Sequence, residues 1–208
     1  MEAQGLAQAW LPGRLQAVSA LTAAEIRTLP EAHPARKFTP SPLGWPCLLL
    51  DGAHNSHAFA AVQDSLSQAG IVPAAIIFSC LADKNPEEIL PILRALSPGP
   101  IFVPPVPDNP RAIAPENLAA RIGPSALPCA SMADALQRAA AHLAANLPEA
   151  FNKARPDRPV LVCGSLYLLG TFFTLRPDCL EENQALPQWP EDLSPKGQMN
   201  LLNRHLKT

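Results

Sequence analysis

At 208 residues and 22.2 kDa, the chain is long enough for one good hydrophobic core with an appendage. Its hydrophobic fraction of 48% and charged fraction of 16% suit a buried parallel sheet and exclude a disordered chain. A net charge of -2 and a pI near 6.2 leave no basic field for nucleic acid or an anionic membrane.

In chain order, residues 1–14 read as the end of a helix broken by Pro12-Gly13, and Arg14 to Val18 as a first short strand. Residues 22–46 carry Pro30, Pro34, Pro40, Pro42 and Pro46 and read as a long, stiffened loop. The chain holds 25 prolines where average usage gives about 10, and most of them punctuate segments without forming a low-complexity tract. Cys47–Leu50 is the first strong strand, ending abruptly in Asp51-Gly52-Ala53-His54-Asn55, and a helix follows near 56–69. Ala74–Ser79 is a buried strand that ends at Leu81-Ala82-Asp83-Lys84-Asn85. Pro86 then fits the first turn of a helix that runs to Ala95.

Ile101–Val103 is the next strand, leading into Pro104-Pro105-Val106-Pro107-Asp108-Asn109-Pro110-Arg111. Pro115–Arg121 is a short helix and Ala126–Cys129 a weak strand. Ser131 reads as an N-cap with Asp134 at the third helical position, opening an alanine-rich helix to about Leu147. Pro159–Cys163 is the last clear strand, and Gly164-Ser165 leads into a helix over Leu166–Leu175. The pattern is lost from Pro177, and residues 178–208 read as a tail or arm with a short helix near Lys196–Leu206. This alternation implies an α/β fold: a three-layer, Rossmann-like, mostly parallel sheet with helices on both faces. No internal repeat is present.

Cys47, Cys80, Cys129, Cys163 and Cys179 are odd in number and form no C-x-x-C pair, which implies a reducing cytoplasm and no structural zinc. The N-terminus lacks the basic start and apolar core of a signal peptide. No apolar run approaches the roughly 20 residues needed to cross a bilayer.

Right-handed crossovers place the polar strand ends on one edge of such a sheet, where ligands bind. That edge would carry Asp51, His54 and Asn55, then Asp83 and Lys84, Asp108 and Arg111, and Ser165. These types suit an acidic or phosphate-bearing ligand. Each has a plainer reading: Asp51 or Ser165 as a helix cap, His54 as a solvated first-turn residue, Lys84 and Arg111 as surface charges. Asp51, His54 and Ser165 also invite a hydrolase triad, but Cys163-Gly164-Ser165-Leu166-Tyr167 lacks the G-x-S-x-G elbow. Neither a phosphate-cradling P-loop nor G-x-G-x-x-G occurs anywhere in the chain.

Trp10-Leu11-Pro12-Gly13-Arg14-Leu15, Leu50-Asp51-Gly52-Ala53-His54-Asn55, Leu81-Ala82-Asp83-Lys84-Asn85 and Val162-Cys163-Gly164-Ser165-Leu166-Tyr167-Leu168-Leu169-Gly170 carry a specific resemblance. In order and spacing they resemble the C-terminal domain of folylpolyglutamate synthase / dihydrofolate synthase, within the Mur ligase superfamily. The resemblance implies a Mur-ligase-type C-terminal domain over 1–177, with 1–14 as the end of an inter-domain linker. It implies an ATP-dependent ligase that phosphorylates a folate or pteroate carboxylate and lets the amine of L-glutamate attack the acyl phosphate. The family's N-terminal P-loop ATPase domain, with most of the Mg2+ ligands, is missing here, so this is a truncated piece or a separately encoded domain, expected to be inert alone.

Carried over by motif, the resemblance implies that Arg14 and Asp51 contact ATP, with Asp51 near the ribose, and that His54 and Ser165 help hold glutamate. Asn55, Asp83, Lys84 and Arg111 would support them, and no metal ligand is expected in this domain. The family usually has glycine where Ser79 or Cys80 stands and an acid where Asn85 stands. Asp108-Asn109-Pro110-Arg111 resembles the D-N-P-R motif of some peptidoglycan Mur ligases, whose later G-K-G-H-E signature is absent. That ligase is the alternative, together with a non-catalytic, stand-alone binding module of the same fold.

Overall fold

The computed structural model describes residues 13–18, 46–146 and 158–180. Short, mostly apolar runs form the strands β1 (Gln16–Val18), β2 (Leu48–Leu50), β3 (Ala75–Phe78), β4 (Ile101–Val103), β5 (Ala126–Pro128) and β6 (Val160–Cys163). Between them run the helices α1 (Ser56–Gln68), α2 (Pro86–Leu96), α3 (Pro115–Ile122), α4 (Met132–Asn146) and α5 (Leu166–Leu175). The strands make one sheet in the order β1-β2-β6-β3-β4-β5. All neighbours pair in parallel except β1, which lies antiparallel to β2 with Gln16 opposite Leu50.

Alternation along the strands feeds two cores. Leu49, Leu161, Cys163, Ile76, Phe78, Ile101 and Val103 face α1, α2 and α3, meeting Phe59, Ile89, Leu93 and Leu118. Their neighbours Leu48, Leu50, Val160, Val162, Ala75, Ile77 and Phe102 face α4 and α5, meeting Leu136, Leu143, Leu168 and Phe172. Every side chain of β2, β3 and β6 is buried, so these central strands are apolar on both faces, as parallel strands between helix layers must be. The Phe59 and Phe78 rings meet edge to face at 6.0 Å across the first core.

Local signals set the helix starts. Pro86 and Pro115 occupy first-turn positions where no amide partner is lost. The Ser131 hydroxyl accepts from the Asp134 amide, and the Asp134 carboxylate reaches back to the Ala130 amide, a reciprocal cap.

The packed unit continues past its expected end at 177. Pro177–Leu180 form a 3₁₀ turn that buries Cys179 completely in the second core. An apolar cysteine after a helix end is a weak signal in sequence, and only packing against β1 and α5 makes it core. The proline-rich segment 22–45 and the helix expected near 196–206 lie outside the described residues.

Gly164 ends β6 with φ +107°, and a Cβ there would collide with the Ser79 carbonyl and the Phe78 ring. Only glycine takes that conformation without strain. Gly164→Ala should therefore lower the unfolding free energy by about 2–4 kcal/mol in a urea titration followed by circular dichroism. A loss below about 0.5 kcal/mol would refute the crowding argument.

Candidate functional site

Because β6 lies between β2 and β3, the turns after these strands are neighbours at one end of the sheet. The Asp51 amide donates to the Val162 carbonyl at 2.9 Å, and the Gly164 amide donates to the Ala53 carbonyl at 2.9 Å. The Asp51–Asn55 turn and the Cys163–Ser165 turn thus run side by side, as the sequence reading requires.

Asp51 is buried, and it is not a helix cap. Its Oδ1 accepts from the Ala53 amide at 2.7 Å and its Oδ2 from the Leu15 amide at 2.9 Å. The carboxylate therefore fastens the Gly13–Leu15 turn to the end of β2. Gly13 (φ +74°) and Leu15 (φ +42°) are both left-handed, and the Gly13 carbonyl accepts from the Gly52 amide at 2.7 Å. Exposed Arg14 sits between them, presented beside Asp51 on the rim. Burial raises the Asp51 pKa, opposed by the two amide donors and then by the Arg14 and His54 charges nearby.

His54 is half-buried, with Nδ1 2.8 Å from the Gly52 carbonyl oxygen. A carbonyl only accepts, so the hydrogen bond puts a proton on Nδ1 and leaves Nε2 outside this contact. Ser165 is buried and caps α5, its oxygen accepting from the Tyr167 amide at 3.2 Å. The plain cap reading holds for Ser165, and the hydroxyl proton remains to be donated. Asn55 is likewise a cap, accepting from the Ala58 amide at 2.8 Å to open α1. None of these contacts joins Asp51, His54 and Ser165 into a triad.

The ends of β3 and β4 complete the rim. Ala82–Lys84 form a 3₁₀ turn that leaves Asp83 exposed and Lys84 half-buried. An isolated bridge pairs Leu81 with Ala112, with the Ala82 amide donating to the Arg111 carbonyl at 2.8 Å. Arg111 then spans the gap between strand ends. Its Nη1 lies 3.1 Å from Asp83 Oδ2, its Nη2 3.3 Å from the Tyr167 hydroxyl, and its guanidinium 5.9 Å from the Tyr167 ring centre. Half-exposed ion pairs of this kind contribute little to stability, so the arrangement matters for where it holds Arg111. Sequence reasoning missed Tyr167, whose only signal is its place two residues after Ser165.

The departures from the family pattern have structural uses. The Ser79 hydroxyl donates to the Pro104 carbonyl and ties the end of β3 to the end of β4. Asn85 is left-handed at the start of α2, and its amide donates to Glu88 Oε1 at 2.6 Å. Glu88 Oε2 accepts from the Ser56 hydroxyl at 3.1 Å, so an acid does stand beside the rim, one turn later than expected.

All five cysteines are buried. Burial pushes the Cys80 and Cys129 thiols up to about 11 and holds Cys163 well above its ordinary range, so these thiols are not activated nucleophiles. Among the described residues, no group of three or more His, Cys, Asp or Glu side chains could hold a metal ion. No helix among them is long and apolar enough to cross a membrane.

A carboxylate whose pKa is raised on folding binds its proton more tightly in the native state. Its contribution to stability therefore declines as pH rises from the ordinary value of 3.8 through the raised one. Urea titrations across that window should show the wild-type stability, relative to Asp51→Asn, falling with pH. A difference that grows with pH would mean that the two amide donors outweigh burial.

The folylpolyglutamate synthase of Lacticaseibacillus casei is 35% identical over 123 residues, which are 59% of this chain and 25% of that protein. Mycobacterium tuberculosis folylpolyglutamate synthase complexed with ADP has a similar fold, with a TM-score of 0.57 and 22% identity over 86% of this chain and 35% of that one. The bifunctional folylpolyglutamate synthase/dihydrofolate synthase of Yersinia pestis CO92, complexed with AMPPNP and Mn ion, gives a TM-score of 0.55 and 24% identity over 84% and 33%. The chain thus spans about a quarter to a third of the length of these proteins. The Mur ligase, glutamate ligase domain family matches residues 43–166, more than half of the sequence. With that match and the shared fold, the chain belongs to the family of Mur ligase glutamate ligase domains.

Proposed function

We propose that this chain is the glutamate- and nucleotide-facing domain of an ATP-dependent ligase that joins L-glutamate to folate or dihydropteroate. The observation that carries the reading is the meeting of Arg14, Asp51, His54 and Ser165 on three adjoining turns, before β1 and after β2 and β6, in a chain of this family. Homology to folylpolyglutamate synthase supports the substrate class. Asp108-Asn109-Pro110-Arg111 is shared with some peptidoglycan ligases, but their G-K-G-H-E signature is absent from the sequence.

In the proposed reaction, a phosphoryl group passes from ATP to the folate or pteroate carboxylate, giving an acyl phosphate and ADP. The amine of glutamate then attacks the acyl carbon, the amide bond forms, and phosphate leaves. Both relatives with solved structures bind adenine nucleotides, which supports ATP as the co-substrate. The resemblance puts most of the Mg2+ ligands in the P-loop ATPase domain that the reading requires as partner.

The chain's own residues would bind and orient. Arg14, the exposed cation beside the Asp51 turn, would meet phosphate oxygens as a bidentate donor. Asp51 already receives two amides, so its part in ribose binding would use the remaining lone pairs of its oxygens. The Ser165 hydroxyl would donate to a glutamate carboxylate. With Nδ1 committed to Gly52, His54 would offer Nε2: as a lone pair toward the ammonium of glutamate, or as a donor to its carboxylate when protonated. Closing a second domain over this rim would exclude water from the acyl phosphate and bring the amine to it.

Purified chain mixed with ATP, dihydropteroate or tetrahydrofolate, and glutamate should release no ADP, and activity should require an added P-loop ATPase domain. Turnover by the chain alone would overturn the domain assignment. In the assembled enzyme, His54→Ala and Ser165→Ala should raise KM for glutamate about tenfold to a hundredfold with little change in KM for ATP, and Arg14→Ala should do the reverse. Equal effects on both KM values would remove the division of roles.

A further inference from the structure

Gln16 is a buried polar side chain that the reaction described above leaves without a role. It opens the edge strand β1, between two backbone groups of opposite character. On one side its Oε1 accepts from the Gly13 amide at 2.9 Å. On the other its Nε2 donates to the Cys179 carbonyl at 2.7 Å, across 163 positions of sequence. A primary amide carries an acceptor and a donor on one planar group, and so satisfies both. A hydrocarbon satisfies neither, and a carboxylate has nothing to donate to Cys179.

The turn it holds is costly in isolation. Leucine in the left-handed region is strained because its Cβ crowds the following carbonyl oxygen, and here Leu15 adopts that region immediately after Arg14. The Leu15 amide on Asp51, the Gly52 amide on the Gly13 carbonyl and the Gly13 amide on Gln16 oppose relaxation. The Gln16 side chain also reaches the Pro177–Leu180 turn.

We propose that Gln16 is a positioning residue, whose side-chain amide clamps the arginine-bearing Gly13–Leu15 turn to the Pro177–Leu180 turn and so sets where Arg14 stands on the rim. The clamp stands on the hydrogen-bond geometry. That Arg14 then meets a nucleotide rests on the proposed function.

Amide exchange measured by NMR on the full chain tests the clamp through two variants. Gln16→Met keeps the approximate volume and removes both hydrogen bonds. Exchange at Gly13 and Leu15 should accelerate about tenfold or more, with β3 and β6 amides unchanged. Gln16→Glu is a rescue that pH controls. A neutral carboxyl again carries one acceptor and one donor, whereas the ionised form turns two acceptors toward a carbonyl. Its protection should match wild type near pH 4 and be lost as the introduced carboxyl ionises. The charged groups that face this region are Arg14, Asp51, His54 and the Arg176–Asp178 pair next to Cys179. All are present in wild type and both variants, so only a pH dependence that Gln16→Glu adds to the shared profile reports the clamp. Wild-type protection in Gln16→Met, or a Gln16→Glu profile without the additional titration, would overturn the proposal. In the enzyme assembled with its P-loop ATPase domain, an unchanged KM for ATP in Arg14→Ala would count against the nucleotide reading, while the exchange profiles still decide the clamp.

Discussion

The central strands leave no room for a polar side chain. Leu48–Leu50, Ala75–Phe78 and Val160–Cys163 are buried on both faces of the sheet, one face under α1, α2 and α3 and the other under α4 and α5. An unpaired charge inside such a layer would cost several kcal/mol, so acids, imidazole and cations are kept out of these strands and first occur in the turns beyond their ends. The parallel arrangement puts those ends on the same side. Chemistry collects at that rim because the interior of the sheet excludes it.

Within the rim, Asp51 shows how a buried charge can be kept. Burial alone disfavours its ionised form, yet two backbone amides converge on its oxygens, and the Arg14 and His54 charges lie close by. The carboxylate therefore does structural work, fastening a strained turn to the sheet, in the same position where it can accept from a ligand. Ser165 and Asn55 are similar in kind: each caps a helix with its side-chain oxygen and points that helix's N-terminus toward the same place. A cap and a binding group need the same orientation, so the two readings of these residues are compatible.

In the proposed function the rim is one half of an active site. It carries cations, a histidine and hydroxyls suited to an anionic ligand, and the sequence contains no P-loop to cradle a triphosphate. Family membership and the small share of its relatives' length that the chain covers fit this division. Leu166 and Tyr167 stand largely exposed at the same edge, next to Gly52 and Arg111.

The sequence by itself determined the elements and their order. Apolar runs of three or four residues, stopped by Asp51, Ser79 or Gly164, and 3.6-residue periodicity between them placed nearly every strand and helix within a residue or two. It also determined that reactive side chains would gather at one edge, because right-handed crossovers between parallel strands allow no other arrangement. What it did not contain was the partner of each polar group. Leu15 reaches Asp51 across 36 positions and Gln16 reaches Cys179 across 163, and no local pattern encodes a hydrogen bond between segments so far apart. Whether Asp51 is a cap or a fastener, which nitrogen of His54 is free, and where the core ends after α5 were decided by tertiary packing. Those outcomes depend on which backbone groups lie within 3 Å of one another, and only the assembled sheet brings them there.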